Sequence, residues 1–126
     1  MKLSKLDHVA LVCSDSKRSK KWYETVFEME WIFRGKWDNN PYFLKKGGAQ
    51  IALFQASPDS PTAPRKGPRI DHFAFGAETR ADYEKVKESL SSKSVPFEEQ
   101  DHEVALSIYL KDPDGITVEV TTYDLT

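Results

Sequence analysis

The sequence predicts an α+β fold built from two β-α-β-β-β modules. Three observations carry this prediction. A six-residue motif recurs half a chain later, a helix-start signal follows each copy, and three strand-like segments follow each helix.

The motif is Leu6-Asp7-His8-Val9-Ala10-Leu11. It matches Ile70-Asp71-His72-Phe73-Ala74-Phe75 position by position, 64 residues later. Both copies are rich in apolar, β-branched or aromatic residues and read as the first strand of a module. Ser14-Asp15-Ser16 then signals a helix over 17–27, with Trp22, Tyr23 and Val26 as its apolar stripe. Glu78-Thr79-Arg80 signals a second helix over 81–92. There Tyr83, Val86 and Leu90 fall at helical spacing and Pro96 ends the element.

Strands are expected over 30–37, 41–45 and 50–55, separated by Asp38-Asn39-Asn40 and Lys46-Gly47-Gly48. In the second half they are expected over 97–100, 105–111 and 116–121, with Asp112-Pro113-Asp114-Gly115 as the last turn. The modules are thus 1–55 and 69–126. Between them, 56–68 holds four of the chain's seven prolines and reads as a linker. One half is too small to bury both faces of its sheet. The halves must therefore pair, within one chain as a single domain over 1–126 or by exchange with a second chain.

Composition narrows the function classes. With 126 residues, 39% hydrophobic, 30% charged and a net charge of −2, the chain fits one globular domain. Its apolar runs are too short to span a bilayer, so no membrane partner is expected. No basic block stands out, which disfavours nucleic acid. Cys13 is the single cysteine, so no internal disulfide forms and a reducing cytoplasm suits the chain. The first residues carry no apolar stretch of signal-peptide length.

Two of the three histidines, His8 and His72, occupy the same site of the repeat. Halves related by a pseudo-twofold would bring the two imidazoles face to face. Glu119 lies in the last expected strand, where alternation places it with Thr117 and Thr121, opposite Val118 and Val120. An acidic residue in a central strand is costly unless it is paired or metal-bound. Two neutral imidazoles and one carboxylate suit a divalent transition ion and leave positions open for substrate. Taken singly, each of these residues also reads as an ordinary strand or surface residue. The aromatics of the first module, among them Trp31, Phe33, Trp37 and Phe43, read as core, with some lining an apolar pocket. Neither a Gly-rich phosphate loop nor a serine-nucleophile elbow is present.

Paired modules with a His on each first strand and a Glu on the last resemble the vicinal oxygen chelate superfamily. This is the group of the glyoxalases, bleomycin resistance proteins and extradiol dioxygenases. The resemblance covers almost the whole chain, including Trp22-Tyr23 and the Asp112-Pro113-Asp114-Gly115 turn. It implies a half-open mixed sheet forming a cup with helices outside. It also implies a divalent ion held by His8, His72 and Glu119, a small-molecule substrate and a homodimer. Glyoxalase I enzymes carry a further carboxylate where this chain has Ala52, so the chain resembles the branch with two histidines and one glutamate. Bleomycin-binding relatives lack the ligands.

The stretch from His102 through Tyr109, Asp112-Pro113 and Gly115 to Glu119 resembles the signature of extradiol catechol dioxygenases, with Gln100 as a departure. That resemblance places His102 and Tyr109 beside the metal as catalytic residues and favours Fe(II) over Mn, Ni or Zn. Two features stand against it. Residues 57–71 hold none of the acid–base histidine usual there, and those enzymes are often about twice as long. The expected activity is ring cleavage of a substrate that chelates the ion through vicinal oxygens. The alternatives are a metal-dependent isomerase or lyase, a fosfomycin-type thiol or epoxide transferase, and a non-catalytic binding protein.

Overall fold

The computed structural model describes residues 1–61 and 66–126; part of the expected linker, 62–65, lies outside them. The chain divides into two compact units, Met1–Ser60 and Pro61–Thr126.

The first unit runs β1 (Val9–Cys13), α1 (Ser16–Val26), β2 (Glu30–Ile32), a 3-10 turn (Lys36–Asn39), β3 (Tyr42–Lys46) and β4 (Ala49–Gln55). Its sheet has the order β1-β4-β3-β2. The β1–β4 pair is parallel and the other pairs are antiparallel. The second unit runs β5 (Phe73–Gly76), α2 (Arg80–Ser92), β6 (Glu98–Asp101), β7 (Leu106–Lys111) and β8 (Thr117–Thr122). Its order is β5-β8-β7-β6, again with one parallel pair. Both units are therefore β-α-β-β-β with an open mixed sheet, and the α+β prediction holds.

Alternation separates a core face from a second face in each sheet. In the first unit Leu11, Cys13, Leu44, Ile51 and Leu53 are buried along with Tyr23 and Val26 of α1. In the second, Phe73, Ile108, Leu110, Val118 and Val120 are buried along with Tyr83 and Leu90 of α2. Each helix starts where the cap residues predict. Asp15 Oδ1 accepts from the Arg18 amide at 3.2 Å, and Thr79 Oγ1 accepts from the Asp82 amide at 3.1 Å.

The structure corrects four expectations. His8 and His72 do not lie on the first strands; each immediately precedes one, because the ladders begin at Val9↔Ile51 and Phe73↔Val118. The strand expected over 30–37 stops at Ile32. Beyond it Phe33, Trp37, Asp38 and Asn39 all take positive φ, and Asn39 Oδ1 accepts from the Gly35 amide at 2.8 Å, which closes a tight loop. Pro96 does not end α2. A Schellman closure does so earlier: Ser94 has φ 56°, and the Val95 amide donates to Leu90 O at 2.9 Å. In α1, Trp22 is only half-buried, and Ser16 and Ser19 share the buried stripe with Tyr23 and Val26.

Candidate metal and substrate site

The second face of the β5-β8-β7-β6 sheet is polar almost throughout. Val118 and Val120 point to the core, so Thr117, Glu119 and Thr121 point the other way. Register then sets their neighbours on that face: Tyr109 is opposite Glu119, Ser107 opposite Thr121, and Ala74 beside Glu119. The register is held by the turn between β7 and β8. Asp112 Oδ1 accepts from the amides of Asp114 and Ile116, each at 2.9 Å, and Gly115 takes φ 77°.

Glu119 is only 8% exposed, and both its oxygens are engaged. Its Oε1 lies 2.9 Å from His72 Nε2, and its Oε2 accepts from the Ser107 hydroxyl at 2.7 Å. Ser107, itself fully buried, also has Thr121 Oγ1 at 3.0 Å. The other nitrogen of His72, Nδ1, is 2.9 Å from Asp71 Oδ2. His72 thus lies between two carboxylates. The Asp71 hydrogen bond, helped by Glu119, raises its pKa above the usual histidine value against a smaller opposing effect of burial. Asp71 is lowered in turn, chiefly by its bond to His72.

The Tyr109 ring stands edge-on to His72 with centroids 6.0 Å apart. Its hydroxyl is 2.9 Å from Nε2 of His102, which sits in the tight turn between β6 and β7. Burial first, and then the negative charge of Glu119, push the Tyr109 phenol up from its ordinary value.

His8 belongs to the first unit. Its Nδ1 is 2.9 Å from Asp7 Oδ2, the arrangement seen at Asp71–His72, and its ring lies 5.1 Å from that of Phe43. Gln50 Nε2 donates to the main-chain and side-chain oxygens of Asp7, both at 3.4 Å. Ala52 pairs with Ala10, two residues after His8, just as Glu119 pairs with Ala74, two residues after His72. Ala52 is therefore the counterpart of Glu119 in the first sheet, and a methyl stands where a second carboxylate would be.

The second unit thus brings His72, Glu119, Tyr109 and His102 together. Within neither unit, among the described residues, do three His, Cys, Asp or Glu side chains form a group able to hold an ion alone. Three residues of this geometry escape a reading by residue type: Asp7, Asp71 and Ser107. The aspartates could have been found, since each repeats with its histidine; Ser107 carries no local signal.

The chain is also similar to known proteins. The chain is 31% identical over 123 residues to biphenyl-2,3-diol 1,2-dioxygenase 2 of Rhodococcus globerulus, covering 92% of this chain but 61% of that protein. Its fold matches a glyoxylase/bleomycin resistance protein/dioxygenase domain from Frankia sp. EAN1pec, with TM-score 0.75 and 24% identity over 98% of this chain and 95% of that one. It also matches lactoylglutathione lyase from Agrobacterium tumefaciens, with TM-score 0.71 and 24% identity over 95% and 94% of the two chains. No helix among the described residues is long and apolar enough to cross a membrane. The family model matches residues 5–120, and the chain belongs to the Glyoxalase/Bleomycin resistance protein/Dioxygenase superfamily.

Proposed function

We propose that this chain is a metal-dependent enzyme in which His8, His72 and Glu119 hold one divalent ion, and that it acts on a small substrate bearing two neighbouring oxygens. The observation that carries this reading is the 2.9 Å approach of His72 Nε2 to Glu119 Oε1 on a polar sheet face. That separation is close to what two ligand atoms would have if each stood about 2.1 Å from one ion at roughly a right angle. The remaining polar atoms of both side chains are already bound, by Asp71 and by Ser107. The donor set, imidazole and carboxylate, suits Fe(II), Mn, Ni or Zn. The convergence of His8 on the same ion is part of this proposal.

Ring cleavage of a catechol-type substrate is the activity we favour, with Fe(II) as the ion. The supporting observations are the His102–Tyr109 pair on the same face and the likeness to a diol dioxygenase. When bound, the ion would supply Lewis acidity and a place where substrate oxygens and O2 can meet. The chain's own residues do the rest. Tyr109, held by His102, presents a phenol that hydrogen-bonds a substrate oxygen. His102 accepts or returns a proton at Nε2 through that phenol. The methyl of Ala52 leaves the ion without a fourth protein ligand, which favours this branch over the four-ligand isomerases of the superfamily.

The test is metal analysis of freshly purified protein together with O2 uptake on catechols. Iron at one per chain and catechol-dependent O2 uptake support the reading. Manganese, nickel or zinc without O2 uptake would move the assignment to an isomerase or transferase. A metal-free protein that binds an aromatic compound tightly would make it a binding protein. We further infer a homodimer in the cytoplasm, testable by sedimentation and by fractionation.

A further inference from the structure

Both histidines of the proposed site carry the same device. Asp7 Oδ2 is 2.9 Å from His8 Nδ1, and Asp71 Oδ2 is 2.9 Å from His72 Nδ1. Two units with different neighbouring residues thus arrive at one geometry. On the acidic ligand the counterpart is Ser107, whose hydroxyl sits 2.7 Å from Glu119 Oε2 and is fully buried. We propose that Asp7, Asp71 and Ser107 are positioning residues that decide which single atom each ligand offers to the ion: Nε2 from each histidine and Oε1 from Glu119. This inference rests on the metal reading above.

A neutral imidazole carries one N–H, and an aspartate at Nδ1 keeps that proton there, leaving the Nε2 lone pair for a metal. A carboxylate whose Oε2 already accepts a hydroxyl proton engages an ion through the other oxygen. Thr121 Oγ1, which donates to Leu106 O at 3.2 Å, packs 3.0 Å from Ser107 Oγ. A bidentate glutamate would take up two coordination positions. Confining Glu119 to one oxygen keeps a position open for substrate.

The test uses the full chain with Zn2+ alone as a diamagnetic probe. Affinity is read by calorimetry, and the imidazole nitrogens are followed by 15N NMR. In the wild type the zinc-bound nitrogens of His8 and His72 are Nε2, with Nδ1 protonated. Asp71→Ala and Ser107→Ala each weaken zinc by about 10- to 100-fold, and Asp71→Ala mixes the His72 tautomers. Asp71→Asn, which keeps an oxygen acceptor, recovers most of the affinity. A purely structural role would lower the melting temperature without moving tautomer or affinity. Wild-type affinity and an unchanged Nε2 pattern in folded Asp71→Ala and Ser107→Ala would overturn the inference alone. A wild type that binds no zinc, or one unaffected by His72→Ala and Glu119→Ala, would overturn the metal reading and this inference with it.

Discussion

Tyr109 stands directly opposite Glu119 in the β7–β8 ladder, on the sheet face that also carries His72. The phenol is therefore placed by backbone register and not by a flexible loop. His102 meets it from the neighbouring turn, 2.9 Å away. Tyr109→Phe and His102→Ala are expected to retain one metal per chain and to lower turnover by about 100- to 10,000-fold. His72→Ala and Glu119→Ala are expected to lose the metal. Metal analysis beside O2-uptake rates separates the two classes.

The same register depends on the turn that precedes Glu119. Gly115 takes φ 77°, and a Cβ placed there would meet nothing within 4 Å. The cost of Gly115→Ala is thus one of backbone conformation, about 1–2 kcal/mol. Asp112→Ala removes the acceptor of two turn amides and is expected to cost more. Denaturant midpoints at constant slope measure both; an unchanged midpoint for Asp112→Ala would count against this account of the turn.

Tyr83 gives a signature at high pH. Its ring is buried in the core, and burial, with the negative charge of Glu99 beside its hydroxyl, pushes its pKa up to about 12. A raised acid stabilises the fold while the unfolded chain would still hold the proton. That contribution is full below the ordinary tyrosine value of about 10 and is lost as pH rises through the folded value. Phenolate absorbance should show a late-ionising step from Tyr83, beside the raised Tyr109. Tyr83→Phe should remove that step and flatten the alkaline fall in stability.

Asp124 acts at the acid end. Thr126 and the Arg80 amide, the latter donating at 2.8 Å, hold its carboxyl below the usual range. A lowered acid stabilises above its unfolded value, and the benefit disappears as pH falls through the folded one. Asp124→Asn should be less stable than wild type at neutral pH and should converge with it well below pH about 4, as read by thermal melts across a pH series.

Much of this architecture was legible because the duplicated hexapeptide marks the start of both sheets and Asp15 and Thr79 cap both helices. The core alternation at Val118 and Val120 fixed the face of Glu119, and Ala52 could be named as its counterpart from motif register alone. Less was legible where the backbone leaves the regular regions. Phe33 and Trp37 carry residue types that favour strands, yet both take left-handed φ in the loop closed by Asn39, so local propensity misplaced the end of β2. Ser107 reads as an ordinary strand serine, because its meaning comes from a glutamate twelve residues away that only the ladder brings beside it.

The Schellman closure of α2 offers a practical opening. Ser94 is a non-glycine residue in a left-handed conformation, just beyond the C-cap of α2. Ser94→Gly would relax that backbone and add about 1 kcal/mol of reserve. Variants at the proposed ligands could be carried in this sturdier background, where a loss of metal would no longer be confused with an unfolded chain.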